Sequence, residues 1–199
     1  MIRNIKKLKS LYCGKWARDN ILIYQMGKVG STTLEATVTD SMHFHSLYCN
    51  EPCTARVEFK PFELNRLYRK FVVLPLKRNR IKRRKKIKII TMIRNPIERN
   101  ISMFFQDLPE WLCKYNNESN YNTRKEGIEY LVNAYNESFD HEYFDRWFDS
   151  EIKRFTGVDI FGSTFDQDKG FIILSNDKFE ILFIKCEMLN TSIINFELN

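Results

Sequence analysis

The sequence predicts an α/β fold in which helices flank a central parallel β-sheet in three layers. Apolar or β-branched runs at Ile21–Tyr24 and Ile87–Ile93, and an alternating polar and aromatic segment at Ser41–Leu47, are separated by segments of helical periodicity. This alternation is typical of parallel sheets, because a helix supplies the crossover that parallel strands need. Such sheets bind ligands at the carboxyl ends of their strands, so the residues that follow each run are the candidate functional residues.

The elements follow one another along the whole chain. A buried strand at Ile21–Tyr24 precedes a helix from about Ser31 to Thr39, and the alternation at Ser41–Leu47 predicts a short strand with its histidines on one face. The run Ile87–Ile93 predicts the strongest strand. Pro96 suits the first turn of the next helix, which is expected to turn Ile101, Phe104 and Phe105 inward. The other predicted elements are helices at 62–73 and from Gly127 to about Phe155, the latter broken at 138–141, and strands at 171–174 and 179–185.

Length and composition favour one soluble domain over residues 1–199. The chain has 199 residues, 43% of them hydrophobic, which is enough for a substantial core. No apolar run of about 18 residues predicts a transmembrane helix, and the basic N-terminal segment, residues 1–20, lacks the apolar centre of a secretory signal. Five cysteines at irregular spacing favour a reducing compartment over a disulfide framework. We therefore expect a cytoplasmic protein.

The segment that follows the first strand has the composition of an anion-binding loop. Gly27, Lys28 and Gly30 are followed by the hydroxyl residues 31–33 at the start of a predicted helix. Backbone N–H groups at a helix N-terminus are unsatisfied and the helix dipole favours negative charge there, so this arrangement predicts a phosphate cradle. The plainer alternative is a glycine-containing turn with a solvated lysine.

The loop differs from a nucleoside-triphosphate P-loop, in which the lysine directly follows the second glycine. Here Ser31 follows Gly30, and Lys28 lies two residues before it. The strand Ile87–Ile93 ends at Arg94, a cation, where a magnesium site would need a carboxylate. Two cations at strand ends favour direct binding of an anion without a metal. A kinase or NTPase with a variant loop, which would bind Mg-ATP, remains an alternative.

Two motifs resemble the 3′-phosphoadenosine-5′-phosphosulfate (PAPS)-dependent sulfotransferases. The first is MGKVGSTT, Met26 to Thr33, and the second is IRNPIERNISMFF, which contains Arg94 and, eight residues later, Ser102. The residues around both motifs are most similar to those of bacterial sulfotransferase-like proteins associated with capsular polysaccharide synthesis. WFDSEI at 147–152 and the late run ILFIKCEML resemble the same group.

The resemblance implies a P-loop-like sulfotransferase fold and a reaction. A sulfuryl group would pass from PAPS to a hydroxyl of a carbohydrate, a surface or capsular polysaccharide or its precursor, leaving 3′,5′-ADP. Arg94 and Ser102 would bind the 3′-phosphate, and no metal is required. The 5′-phosphosulfate would be bound by Gly27, Lys28, Val29, Gly30, Ser31, Thr32 and Thr33. Larger members of the family continue with segments that cover the adenine, so a non-catalytic relative that binds the nucleotide without transfer is a second alternative.

Charge develops on the leaving group during sulfuryl transfer, and the acceptor hydroxyl needs a base. From inside the loop, the Lys28 ammonium can reach the oxygen that bridges sulfur and phosphorus. His43 and His45 are the candidate bases, because a histidine accepts a proton near pH 7. Glu35 is a rival base, and His141 is expected to be a surface residue. The spacing of His43, His45, Cys49 and Cys53 also permits a structural zinc site.

Most of the excess positive charge belongs to one segment. The net charge is +7, and Lys77–Lys88 contains nine of the 32 basic residues and no acidic ones. We expect this segment to be a basic loop before the central strand. Its candidate partners are an anionic glycan or the inner face of a membrane. Nucleic acid is the least favoured partner, because the segment has no interleaved aromatic residues and no known nucleic-acid motif.

Overall fold

A computed structural model of the chain describes residues 21–30, 33–34, 36, 38, 41–48, 67–115 and 123–188. Within these residues the strands are β1 (Ile21–Tyr24), β2 (Ser41–Phe44), β3 (Ile87–Ile93), β4 (Phe171–Ser175) and β5 (Phe179–Lys185). The helices are α1 (Leu74–Lys82), preceded by a π-helical turn at Arg69–Val73, then α2 (Pro96–Gln106), α3 (Leu108–Tyr115), α4 (Arg124–Ser138), α5 (Tyr143–Trp147), a π-helical segment at Phe148–Lys153 and α6 (Arg154–Thr156). A 3₁₀ turn, Cys186–Met188, follows β5.

The strands form one sheet in the order β2-β1-β3-β5-β4. The first four of these pair in parallel, and β4 pairs antiparallel with β5. The α/β fold class is confirmed: the sheet is mostly parallel and carries helices, as expected of a three-layer domain. The carboxyl ends of β2, β1, β3 and β5 therefore meet at one edge, where β1 is followed by the loop that contains Lys28 and β3 by Arg94.

Strand β4 departs from the predicted parallel arrangement. Only residues 176–178 connect β4 to β5, and parallel neighbours need a crossover of a dozen or more residues. The connection is closed by Asn176, whose Oδ1 accepts the N–H groups of Lys178 and Phe179 at 3.1 and 2.8 Å. The two strands are consequently a hairpin at the end of the sheet.

The prediction that residues 77–88 form a loop is also wrong, because Lys77–Lys82 belong to α1 and a turn at 83–86 leads into β3. The buried side chains of Leu74 and Ile81 tie the helix to the core. Two of its basic side chains place their charged groups over aromatic rings. The Arg78 guanidinium lies 4.4 Å from the centre of the Tyr48 ring, and the Lys82 ammonium lies 5.4 Å from that of Phe155.

The helix that begins at Pro96 is confirmed, but only Phe104 of its three predicted core residues is buried. Ile101 and Phe105 are exposed on a face that also carries Ile97. Helix α3, with the buried Trp111, was not predicted. Several predictions lie outside the described residues: the N-terminal segment 1–20, most of the helix at 31–39, the part of the 62–73 helix before residue 67, and Ser31, Thr32, Glu35, Cys49 and Cys53.

The main core lies between the sheet and the helical run from α5 to α6. The Trp147 ring packs on Tyr24 at 5.4 Å between centroids, and Phe148 packs on Phe183 at 6.5 Å. A second, smaller core around Phe104, Trp111 and Phe139 joins α2, α3 and the end of α4. In the described part of the chain, no helix has the length and apolar character to span a membrane.

Candidate functional site

The loop after β1 begins with buried residues that fix its course over the sheet edge. Met26 and Val29 are fully buried, whereas Gly27 and Lys28 are partly exposed and Gly30 is exposed. Lys28 has a φ of 67°, a left-handed conformation that costs a non-glycine residue about 1–2 kcal/mol. Strain of this kind persists where the surrounding structure imposes it and is concentrated at functional sites. The backbone thus holds Lys28, the residue predicted to stabilise the leaving group, in a conformation that is unfavourable for a non-glycine residue.

Gly30 closes the loop against the carboxyl ends of β3 and β5. Its φ is +91°, and a Cβ added there would lie 3.2 Å from both Cys186 Sγ and Met92 Cε. The Gly30 carbonyl accepts the N–H of Thr33 at 3.3 Å, which begins the helical turn. Thr33 is exposed; Ser31 and Thr32 of the predicted cradle lie outside the described residues.

We expect Gly30→Ala to lower the free energy of unfolding by about 1–3 kcal/mol, because the methyl group meets two side chains and the residue must keep a left-handed φ. Gly27→Ala is the matched control: nothing lies within 4 Å of a Cβ at that position, and its φ is ordinary. We expect it to change the free energy of unfolding by less than about 0.5 kcal/mol. Urea-induced unfolding measures both, and equal losses would contradict this account of the loop.

Arg94 joins the two predicted anion-binding elements. Its Nη1 lies 3.3 Å from the carbonyl oxygen of Lys28 and 3.4 Å from the hydroxyl oxygen of Ser102. The start of α2 is fixed next to it by Asn95, whose side chain accepts the N–H groups of Ile97 and Glu98. The structure therefore brings Lys28, Arg94 and Ser102 together at the ends of two adjacent strands.

An acidic neighbour of Arg94 was not recognised from the sequence. Glu98 Oε2 lies 3.2 Å from Arg94 Nη2, one helical turn along α2. The Glu98 side chain is 59% exposed, so the pair is weak and can open at low cost. Glu98 competes with any anion for the same guanidinium.

A second arginine, also missed, supports the loop from inside. Arg99 is fully buried; its Nε donates to the Gly27 carbonyl at 3.2 Å and its Nη1 to Asn100 Oδ1 at 3.0 Å. Its guanidinium lies 4.9 Å from the centre of the Tyr143 ring, and burial lowers its pKa from the ordinary value. An arginine on an amphipathic helix is normally a surface residue, so the sequence contains no signal for this role.

The two candidate bases lie side by side at the end of β2. The His43 and His45 rings are 4.4 Å apart between centroids and nearly perpendicular. The Nδ1 atom of His45 lies 2.9 Å from the Gln25 carbonyl oxygen, directly before the loop, whereas His43 Nε2 is buried. His141 is exposed, as expected, with its Nε2 3.0 Å from the Tyr135 carbonyl. Of the zinc alternative, only the two histidines are described, and the described residues contain no cluster of metal-ligating side chains.

A cavity of about 630 Å³ opens beyond Arg94, at the carboxyl ends of β3 and β5. Its volume is within the range of small-molecule sites. Its lining combines aromatic rings with side chains of both charge signs. The lining residues that carry this character are Phe144, Phe148, Phe161, Phe165, Lys185 and Glu187.

Residues 119–196 match the model of a family described as "Putative capsular polysaccharide synthesis protein". The match covers less than half of the chain; it contains the run from α5 to α6 and strands β4 and β5, but neither Lys28 nor Arg94. The searches of curated proteins and of solved structures returned no match. The comparisons therefore show similarity to that family over residues 119–196, and the assignment of a reaction depends on the site itself.

Proposed function

We propose that this protein is a PAPS-dependent sulfotransferase that modifies a hydroxyl of a carbohydrate acceptor, a surface or capsular polysaccharide or its precursor. The supporting observation is that Arg94 contacts both the Lys28 carbonyl and the Ser102 hydroxyl. A nucleotide with phosphate on both sides of its ribose needs two neighbouring anion sites, and the contact between Arg94 and the Lys28 carbonyl makes the two elements neighbours. The family match at residues 119–196 supports the carbohydrate part of the proposal.

The residues present suit the donor nucleotide. Arg94 offers a planar guanidinium for bidentate contact with the 3′-phosphate, and Ser102 offers a hydroxyl beside it. The loop from Gly27 to Gly30 would bind the 5′-phosphosulfate, and the cavity beyond Arg94 has room for the rest of the nucleotide. Lys28 and Arg94 supply a cation to each recognition element and can contact the phosphate groups directly, so the proposed binding mode requires no divalent metal.

Bound PAPS supplies an activated sulfuryl group, and the chain supplies position, charge and a proton acceptor. Lys28, held in its left-handed conformation, would stabilise the negative charge that grows on the leaving oxygen. His45 would take the proton of the acceptor hydroxyl, because its Nδ1 faces the Gln25 carbonyl and its Nε2 remains for that purpose.

Calorimetric titration with 3′,5′-ADP, and with ATP in the presence and absence of Mg²⁺, tests the proposal. We expect 3′,5′-ADP to bind without metal and more tightly than Mg-ATP. A preference for Mg-ATP would favour the kinase or NTPase alternative, and absence of 3′,5′-ADP binding would refute the proposal. A protein that binds 3′,5′-ADP but never consumes PAPS in the presence of capsular polysaccharide would be the non-catalytic relative.

We expect Glu98→Gln to tighten 3′,5′-ADP binding roughly two- to fivefold, because Arg94 no longer has to leave an ion pair. The matched control is Glu142→Gln. Glu142 forms an exposed pair of the same spacing with Arg146, at 3.1 Å, and its loss removes the same charge without freeing Arg94. Calorimetry at low and physiological salt measures the affinity of both variants. An equal increase in affinity would show that the effect comes from the change in net charge and not from the release of Arg94.

A further inference from the structure

A buried carboxylate accepts hydrogen bonds from residues 46–48, which follow β2. Glu151 is fully buried in the π-helical segment at Phe148–Lys153. Its Oε1 accepts the Ser46 hydroxyl at 2.8 Å, and its Oε2 accepts the Leu47 N–H at 2.7 Å. The Tyr48 N–H lies 3.2 Å from both oxygens, and the Tyr24 hydroxyl at the end of β1 donates to Oε2.

Trp147, one turn earlier on the same helical run, forms a hydrogen bond with the backbone of His45. Its indole Nε1–H donates to the His45 carbonyl at 3.1 Å, and its side chain is 1% exposed. The imidazole ring of His45 contacts Gln25, whose backbone carbonyl oxygen lies 2.9 Å from the ring Nδ1. One helix face therefore fixes residues 45–48 and the end of β1 relative to each other.

Burying a carboxylate is costly unless several donors compensate it, and an apolar side chain could attach the helix at lower cost. Four groups donate to Glu151: the Tyr24 hydroxyl at the end of β1, and three groups of residues 46–48, which follow β2. Burial, and next the charge of Glu151, raise the pKa of Tyr24 well above its ordinary value, so the phenol stays a donor. What this arrangement adds over simple packing is a defined relative position of β1 and His45.

We propose that Trp147 and Glu151 are positioning residues that hold His45 in the tautomer with the proton on Nδ1 and the lone pair on Nε2. This inference depends on the proposed function for its purpose, since a fixed lone pair matters where His45 acts as a base. The contacts themselves belong to the free protein. The inference also gives the part of the chain that matches the family a role. Residues 119–196 contain both positioning side chains, Trp147 and Glu151, and His45 lies outside this range.

Trp147→Phe tests the inference, because it removes the indole N–H while keeping an aromatic ring. Trp111→Phe is the matched control: Trp111 is 2% exposed, and its Nε1 has no hydrogen-bond partner among the described residues. Nitrogen-15 NMR of the histidine side chains reports the tautomer of His45 in the free protein. We expect the ratio of Nδ1–H to Nε2–H tautomer to fall roughly fivefold or more in Trp147→Phe and to stay unchanged in Trp111→Phe.

Ser46→Ala removes one donor to Glu151 and keeps the groups that hydrogen-bond His45, namely the Gln25 carbonyl and the Trp147 indole N–H, and it should shift the same ratio in the same direction. This variant tests the Glu151 contacts while leaving the buried carboxylate itself in place. An unchanged His45 tautomer in both Trp147→Phe and Ser46→Ala would overturn the inference and leave the network a purely structural attachment. Affinity for 3′,5′-ADP should be unaltered in these variants. Failure of the wild type to bind 3′,5′-ADP would instead refute the proposed function, and the tautomer measurement would still decide whether His45 is positioned.

Discussion

We expect Arg94→Ala to weaken 3′,5′-ADP binding roughly 100-fold or more, because a charge-assisted, bidentate phosphate contact contributes about 3 kcal/mol when it is partly shielded from water. The Arg94 side chain is 29% exposed, which places it in that regime. The loss should exceed that of Ser102→Ala, which removes one neutral hydrogen bond and should cost about fivefold. Isothermal titration calorimetry at fixed salt measures both variants.

Two further variants separate a phosphate contact from other consequences of losing Arg94. Arg94→Lys keeps the charge but not the planar fork, so most of the affinity should still be lost. Arg146→Ala removes the same charge from an arginine that also pairs with carboxylates, Asp140 and Glu142, but is more exposed at 55%, and should leave the affinity within about twofold. If Arg94→Ala binds 3′,5′-ADP as the wild type does, the 3′-phosphate is not recognised at this strand end.

The parts of this site that could be predicted are those that depend on local sequence. A strand, a glycine turn and a helix are contiguous, and the position of Lys28 in the turn distinguishes the loop from a triphosphate P-loop. The meeting of Arg94 with Ser102 also follows from local geometry, since two helical turns from Pro96 place the hydroxyl near the strand end. The structure places these atoms 3.4 Å apart.

The parts that could not be predicted are contacts between charged residues and distant backbone. Arg99 reaches the Gly27 carbonyl across 72 positions, and Glu151 reaches Leu47 across 104. Each lies on a helix with apolar neighbours, where a charged side chain usually marks the solvent face. Only tertiary packing reverses that expectation. The antiparallel β4, by contrast, was predictable, because its connection to β5 is too short for a crossover.

Replacing Lys28 separates its charge from its conformation. We expect Lys28→Gly and Lys28→Ala to slow release of 3′,5′-ADP from PAPS by roughly 100- to 1,000-fold, the cost of removing one fixed group from a developing charge. Affinity for 3′,5′-ADP should fall less than tenfold, because that product lacks the sulfuryl group. The two variants should differ in stability: glycine adopts the φ of 67° without strain, so Lys28→Gly should exceed Lys28→Ala in free energy of unfolding by about 0.5–1 kcal/mol.

This pair of variants distinguishes two reasons for a lysine at a left-handed position. If the ammonium acts on the leaving group, both variants lose turnover equally, although one is more stable than the other. If Lys28 matters only because its carbonyl receives Arg94 Nη1, both variants keep that carbonyl and should retain turnover. Lys28→Arg adds a third comparison, since it keeps the charge but moves it outward on a longer side chain. Partial turnover in Lys28→Arg, with none in the other two, would show that charge at this position drives the reaction and that its placement sets the rate.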